Sequence, residues 1–205
     1  MQRTDRQILV LFVGLLLLLG LVIYGLFVYQ ERRYGDLVFD YNGFRVQKTP
    51  QGYRFQIHIN QGTTPNYFTL RSDPRTLEDI PVDRQILSLK EKREIFAVVD
   101  PDANLTGVTT MAVLELDKIL DNAFLFNIPV NAALTKTVEG SGLEAKDCTA
   151  VNATVGVVHF RLGATTRVFE EKGCFIAEGV TEEDIVRAAD TIVLVLLGIT
   201  SSTTL

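Results

Sequence analysis

The sequence predicts a mixed domain of the α+β or α/β class, preceded by one N-terminal transmembrane helix. Three observations predict it: an uncharged apolar run at Ile8–Tyr29, later stretches that alternate apolar and polar residues, and two stretches with apolar residues at helical spacing. We expect a short cytoplasmic tail at 1–7, the membrane helix at 8–29, a linker at 30–36, one mixed-sheet domain at 37–200 and a frayed end at 201–205.

The apolar run Ile8–Tyr29 is long enough to cross a bilayer, since it spans roughly 33 Å as a helix at about 1.5 Å per residue. Each Leu, Ile, Val or Phe favours insertion by roughly 0.3–0.6 kcal/mol. A cleaved secretory signal is the alternative, but its apolar core has about 7–15 residues and ends in small residues. Because Tyr29–Tyr34 has no such cleavage site, we predict a retained signal-anchor held in the lipid bilayer.

The side of the membrane on which the domain lies does not follow from the flanking charges. Arg3 and Arg6 precede the apolar run and Arg32 and Arg33 follow it, so the positive-inside rule is nearly balanced. A domain that faces the cytoplasm therefore stays an alternative.

Two weaker signals favour an extracytoplasmic domain. Its only two cysteines, Cys148 and Cys174, are an even count that predicts a disulfide in an oxidising compartment. Asn104 and Asn152 each begin an N-x-[ST] triplet, the acceptor for glycosylation on a translocated domain, although such triplets also arise by chance.

Composition excludes one class of partner. The net charge is −5 and the pI about 5.1, so the chain lacks the basic surface that nucleic-acid binding requires. Charged residues make up 22% and aromatic residues 9%, which is typical of a folded domain and not of a disordered stalk.

The domain begins with a predicted β-hairpin. Phe44–Val46 and Tyr53–Asn60 alternate apolar and polar residues, and the turn-forming stretch Thr49–Gly52 separates them. Tyr67–Leu70 predicts a further strand. Ser72–Pro81 then predicts one or two helical turns, with Asp73 as the cap and a proline at the first helical position.

A β-α-β unit follows. Glu94–Val99 is an apolar strand, and Val130–Leu134 can return beside it as a parallel strand. Between them lies one helical stripe of apolar residues, formed by Ala112, Leu116, Ile119, Leu120 and Ala123.

The last part of the chain predicts a three-stranded meander of Val155–Leu162, Thr166–Glu170 and Cys174–Ala177. A capping box at Thr181–Asp184 then opens a C-terminal helix. Its inner stripe is Ile185, Ala188, Ala189, Ile192, Val193 and Leu196, and we place Arg187 and Asp190 on its outer face.

The outer face of this helix becomes apolar at Leu194 and Leu197. A helix that is apolar all round is buried, either inside the domain or against a partner. Leu194 and Leu197 are therefore a candidate partner surface, and burial within the domain is the alternative.

The candidate site is the loop that carries Asp100, Asp102 and Asn104, which follows a strand at the edge of the sheet where ligands collect. The spacing opens an EF-hand-type calcium loop, but Leu105 replaces the required glycine and Met111 replaces the bidentate glutamate. We expect a solvated acidic turn, and we predict no metal and no cofactor.

No residue is predicted as a catalytic nucleophile or base. His58 and His159 both fall inside predicted strands, and the spacing does not bring them together. The sequence contains no G-x-S-x-G, H-E-x-x-H, phosphate-binding glycine loop or C-x-x-C motif.

Cys148 and Cys174 leave three possibilities open: a structural disulfide, buried free thiols, or reactive chemistry. Their separation does not match a C-x-x-C redox site, and closing a loop of this size contributes about 3–4 kcal/mol. We therefore predict a structural disulfide.

The segment DPRTLEDIP (73–81), the predicted two-cysteine meander and the ending GCFIAEGVTEEDIVRAADTIVLVLLGI (173–199) resemble uncharacterised single-pass membrane proteins of archaea. The unit FAVVDP…IPVNAALTK followed by IAEGVTEEDIVRAAD is also similar in outline to α/β modules of archaeal surface-layer and cell-wall-binding proteins. Neither resemblance implies an activity or a site residue.

These observations predict a membrane-anchored surface domain with a non-enzymatic binding or scaffolding role in the cell envelope. Its partner beyond the bilayer would be an envelope protein or a second copy of the chain. The alternative is a membrane-bound, hydrolase-like enzyme that uses the Asp100–Asn104 loop.

Overall fold

The computed structural model describes residues 3–58 and 65–200, and within 3–37 it describes side chains at 12–26, 28, 29 and 37. The first two residues of the predicted tail, the last two of the strand predicted to reach Asn60, and the predicted frayed end at 201–205 lie outside the described residues. The chain divides into a unit that ends at Phe39 and a unit that begins at Asp40.

The first unit contains helix α1 (Arg3–Leu37). Within the described residues, no helix combines the length and the apolar character needed to cross a membrane. The transmembrane helix predicted at Ile8–Tyr29 is therefore not confirmed and stays a prediction.

The second unit has mixed α and β structure, as expected, but it holds two sheets where one mixed sheet was predicted. Strand β1 begins in the first unit and ends in the second. Along the chain, the segment 71–93 separates the strands of the first sheet from those of the second. The strands and helices are β1 (Val38–Tyr41), β2 (Phe44–Thr49), β3 (Gly52–Ile57), β4 (Asn66–Leu70), β5 (Glu94–Val99), α2 (Gly107–Leu120), β6 (Val130–Leu134), β7 (Glu144–Ala145), β8 (Val155–Leu162), β9 (Arg167–Glu171), β10 (Cys174–Gly179) and α3 (Glu182–Leu196).

The first sheet has the order β1-β2-β3-β4 and contains the predicted hairpin of β2 and β3. Gly52 is required at its turn, because φ is 132° and a Cβ there would lie 2.1 Å from the carbonyl oxygen of Leu70. Phe55 stacks on Phe68 with ring centroids 4.9 Å apart, and Tyr41 meets Phe55 edge-on at 6.4 Å. These rings form the buried face of the sheet.

Two 3₁₀ helices connect the sheets. The first, Pro74–Thr76, confirms the predicted helical turn, and the Asp73 carboxylate caps it by accepting from the Arg75 N–H at 3.1 Å. The second, Arg84–Glu91, was not predicted; it buries Ile86 and Leu89 completely.

The second sheet has the order β7-β6-β5-β8-β10-β9. Its strands run parallel from β7 to β10, and β9 joins the edge antiparallel to β10. The predicted β-α-β unit is confirmed, because α2 connects β5 to its parallel neighbour β6.

The predicted meander is wrong, because β10 lies between β8 and β9 and runs parallel to β8. The side chains explain this order. All six residues of β10 are buried, which suits a central strand, whereas β9 carries Arg167, Glu170 and Glu171 and suits an edge. The spacing of the three strands along the chain resembles a meander, but the buried strand β10 takes the central position beside β8 and leaves β9 at the edge.

The N-termini of α2 and α3 lie beside each other, and the Glu182 carboxylate at the start of α3 accepts hydrogen bonds from the start of α2. The predicted capping box of α3 is present, since the side chains of Thr181 and Asp184 exchange hydrogen bonds with each other's backbone N–H. Glu182 Oε2 also accepts from the N–H and hydroxyl groups of Thr106 and Thr109 at 2.7–3.1 Å. These hydrogen bonds lower the pKa of Glu182.

Helix α3 is buried over most of its surface. Its predicted inner stripe is buried throughout, but Leu194 is also 0% exposed, so its assignment to a partner surface is wrong. Leu197 is half-buried. Asp190, predicted on the outer face, is likewise 0% exposed, because the segment after β4 covers that side and the Ser72 N–H donates to its Oδ2 at 2.8 Å.

Helix α2 is shorter than its apolar stripe predicted. It ends at Leu120 and is capped by Asp121, so Ala123 lies beyond the helix and is exposed. The other four members of the stripe are buried.

Candidate functional site

On one side of the second sheet, the buried side chains pack without residues from α2 or α3, and this helix-free side is named here the open face. Its buried cluster consists of Phe96, Val98, Ala133, Val157, Cys174 and Ile176. Among the described residues, the side chains packed against this cluster come from strands and from the segment Cys148–Val151. The open face is therefore covered by a loop, whereas α2 and α3 contact each other and α3 lies against β8 and β10.

Strand register places a histidine at the centre of the open face. His159 on β8 pairs with Val98 on β5 and with Ile176 on β10, so apolar side chains flank it on both sides. One step toward the carboxyl ends of the strands, Arg161 pairs with Glu178. The charged pair Arg161 and Glu178 thus lies next to the row of Val98, His159 and Ile176, toward the carboxyl ends of the strands. Ligands of α/β domains collect at that end of the sheet.

A cavity of about 350 Å³ opens on this face. Val98, Val157 and Ile176 form its apolar wall, and the disulfide also lines it. Its polar lining comes from Thr135, Asp147, Thr149, His159, Arg161, Glu171 and Lys172.

The imidazole of His159 lines this cavity and carries an unsatisfied atom just beneath its surface. Nε2 is buried and has no hydrogen-bond partner among the described residues. Burial and the nearby Arg161 charge lower the pKa of His159, while Asp100 and Glu171 oppose that effect. The imidazole is therefore neutral at pH 7 and can donate or accept one hydrogen bond at Nε2.

The charged groups beside the cavity are held by one another. Arg161 donates to Glu171 at 2.9 Å and to Glu178 at 3.2 Å, and Arg167 donates to the second oxygen of Glu178 at 3.2 Å. Both guanidinium groups lie over the ring of Phe169, at 5.5 and 4.2 Å from its centroid. This network fixes Arg161 in one position.

The predicted disulfide is present: Cys148 and Cys174 are bonded, with Cα atoms 5.2 Å apart. It ties a short 3₁₀ helix, Cys148–Ala150, to the first residue of β10. Asp147 caps that helix, and hydrogen bonds from Thr149 lower the pKa of Asp147. The disulfide thereby holds the loop that forms part of the cavity wall.

The predicted acidic loop lies beside this face, and its first two carboxylates have partners within the protein. Asp100 Oδ1 accepts from the Asp102 N–H at 3.0 Å, and the Asp102 carboxylate pairs with Lys136. Asn104 adopts a left-handed backbone with φ of 51° and is exposed. Across the described part of the chain, no three His, Cys, Asp or Glu side chains gather as a metal site.

The two histidines differ in their surroundings. His58 follows the end of β3 and is exposed, whereas His159 lines the cavity. Asp100 lies close enough for its charge to act on His159, but the structure gives no hydrogen bond between them. Sequence spacing could not predict this approach, because it depends on the pairing of β5 with β8.

The predicted glycosylation sites are both exposed and stay predictions. Thr106, the third residue of the first triplet, caps α2 and bonds to Glu182. In the second triplet, Asn152 Oδ1 accepts from the N–H and the hydroxyl of Thr154 at 2.8 and 3.0 Å.

A second cleft, of about 510 Å³, lies between the Arg71–Thr76 segment and the two helices. Several of its charged groups already have partners, since Arg71 binds Glu115, Arg187 binds Asp184, and Asp73 binds Arg75. The second cleft offers fewer unpaired groups to a ligand than the cavity on the open face.

Sequence analysis missed the buried Glu115, because it is a charged residue and lies outside the apolar stripe of α2.

Comparison of this chain with protein-family models, with curated proteins and with solved structures finds no match in any of the three.

Proposed function

We propose that this chain is a single-pass membrane protein whose extracytoplasmic domain binds a small polar ligand without transforming it. The observation that carries the proposal is the open-face cavity, whose lining includes His159, an imidazole with a buried and unpartnered Nε2. A binding role in the cell envelope follows if the domain is anchored and faces outward. An envelope protein or a second copy of the chain stays a proposed further partner.

The shape and lining of the cavity support binding. Small-molecule sites are concave, mostly apolar and of about 300–1,000 Å³, with a few polar groups that orient the ligand. The open-face cavity has an apolar wall and a volume of about 350 Å³, which is the small end of that range. Arg161 and the loop beside it are already held by ion pairs and by the disulfide, so binding need not order them.

The chemistry of α1 supports the anchor. The sequence carries no charged residue from Ile8 to Tyr29, and the described large apolar side chains from Phe12 to Leu26 are 48–70% exposed. Apolar surface of this kind is favourable in lipid and unfavourable in water. The disulfide supports an outward-facing domain, because such bonds persist in oxidising compartments.

Sidedness and anchoring can be tested on intact cells. We expect the full-length protein to sediment with membranes, to resist carbonate extraction, and to lose its C-terminal epitope to external protease. Alkylation before and after reduction should show two cysteines protected by the disulfide. A protein that stays in the supernatant without detergent contradicts the anchor, and protection of the epitope until lysis contradicts the outward orientation.

One observation favours the alternative, a membrane-bound hydrolase. A neutral imidazole close to Asp100 at the carboxyl ends of parallel strands has the character of a general base. Against it, the described residues that line the cavity include no serine and no free cysteine. Loss of hydrolysis of a panel of ester and glycoside substrates in both His159→Gln and Asp100→Asn would support the enzyme; absence of turnover in the wild type would exclude it for those substrates.

A further inference from the structure

The size of the open-face cavity limits its ligand to a small molecule. At about 350 Å³ it can hold one ring-sized group, and its apolar wall of Val98, Val157 and Ile176 offers a surface for C–H groups. The disulfide and Glu178 network hold the surrounding loop and strands in place. A longer ligand would therefore enter with one end only.

The charges of the cavity lining are balanced. Asp147 and Glu171 are negative, Arg161 and Lys172 are positive, and His159 is neutral at pH 7. Arg161 is already held by Glu171 and Glu178, so it is not available to neutralise a bound anion. Because the two negative and the two positive side chains of the lining cancel, the cavity carries no net charge that a charged ligand would neutralise, which favours an uncharged ligand.

The hydrogen-bonding groups of the lining are mixed. Carboxylate oxygens accept, the Lys172 ammonium donates, and the hydroxyl of Thr135 does either. His159 Nε2 either donates or accepts, depending on the tautomer. A hydroxyl group is the simplest partner for such a set, because it can donate and accept at once.

We propose that the cavity binds a small, uncharged, hydroxyl-rich molecule of the size of one sugar ring. The proposal rests on the proposed binding function and specifies its ligand class. One hydroxyl of the ring pairs with His159 Nε2, which lies just beneath the cavity surface and is exposed by a small turn of the imidazole on binding. Further hydroxyls meet the carboxylates and Lys172, and a C–H face of the ring packs on the apolar wall. The ring belongs either to a free monosaccharide or to the terminal unit of a glycan.

The two histidines of the chain provide an internal control, because His159 lines the cavity and His58 is exposed just after β3 of the other sheet. The full-length protein is labelled with ¹⁵N-histidine and held in phosphatidylcholine nanodiscs, which avoids sugar-headed detergents. Imidazole nitrogen shifts are followed while glucose, mannose, galactose or N-acetylglucosamine is added. Acetate, phosphate and glycine serve as charged and zwitterionic probes.

We expect at least one sugar to move the His159 Nε2 signal in a saturable way and to leave the His58 signals unchanged. His159→Phe should weaken that sugar about tenfold, as expected for one lost hydrogen bond, whereas His159→Gln should retain most of the affinity and His58→Phe all of it. Methyl glycosides that bind as well as the free sugar indicate a glycan end, and failure of the glycosides alone indicates a free monosaccharide.

Two other outcomes separate this inference from the proposed function. If only acetate, phosphate or glycine moves the His159 signal, the cavity binds ligands but the assigned ligand class is wrong. If neither class of probe moves it in the folded protein, both the ligand class and the binding function are contradicted.

Discussion

Two carboxylates are buried in different ways on the two sides of the second sheet. Glu178 on the open face is 4% exposed and keeps its charge partners, Arg161 and Arg167. Asp190 on α3 is 0% exposed, receives one N–H from Ser72, and has a pKa raised to about 7 by burial and by the charge of Glu115. The open side thus stabilises buried charge by pairing, whereas the helix side favours the uncharged form.

Removal of the disulfide affects only the open side of the second sheet, and it should lower the free energy of unfolding more than the other substitutions described below. We expect the double variant Cys148→Ser and Cys174→Ser to lower the free energy of unfolding by about 3–4 kcal/mol, because the bond closes a loop with a separation of 26 residues. Urea unfolding followed by circular dichroism measures the loss. An unchanged urea midpoint would contradict a stabilising role for the disulfide.

Glu178→Gln should lower the free energy of unfolding by about 1–3 kcal/mol, because it leaves two guanidinium groups without their shared carboxylate. The effect is smaller than for a fully buried pair, since the Arg161 and Arg167 side chains are 33% and 41% exposed. Glu144→Gln is the matched control, as its pair with Lys146 is largely exposed on the Glu144 side. Equal stability of the two variants would contradict the pairing account.

Asp190 should make stability depend on pH in the opposite sense from a salt-bridged carboxylate. Its pKa in the folded protein, about 7, lies above its ordinary value of 3.8. The stabilisation from protonated Asp190 is therefore complete below about pH 4 and is lost as the pH rises to about 7. The charges that face it are Glu115 and Lys118 on α2, and Arg71 lies beyond Glu115.

Asp190→Asn should raise the free energy of unfolding at pH 8 by about 1–2 kcal/mol, because it removes the cost of ionising a buried carboxyl group. Thermal unfolding at pH 5 and pH 8 measures the difference, with the exposed Asp79→Asn as control. A variant that is less stable than the wild type at pH 8 would show that Asp190 is held as a carboxylate.

Gly163→Ala should have the smallest effect, about 1 kcal/mol, and should act only on the open side. A Cβ at this position would lie 2.1 Å from Cδ of Glu178, so the flexible glutamate must move away from its two arginines. Combined with Glu178→Gln, the loss should be less than the sum of the two single losses. Full additivity would mean that Gly163 does not act through Glu178.

Local elements followed from the sequence better than their arrangement did. Period-two alternation predicted the β2–β3 hairpin, and the Thr181–Asp184 box predicted the start of α3. The position of β10 between β8 and β9 could not be predicted by spacing, since it depends on how each strand is covered.

The candidate site was predicted only in its parts. The cysteine pair follows from an even count in a small domain, whereas the approach of His159 to Asp100 follows from strand register. Asp190 was misplaced because helical periodicity assigns a face to solvent without showing what else packs there. A polar residue inside an otherwise apolar helical stretch was the one available signal.

The Glu182 carboxylate joins the first turn of α3 to the first turn of α2 through four hydrogen bonds. Fraying at the start of α3 would therefore release four donors at the start of α2, and fraying at the start of α2 would leave the Glu182 carboxylate without these donors. In hydrogen exchange the amides of these two first turns should open together, with one shared protection factor, and Glu182→Ala should split them into two independently opening segments.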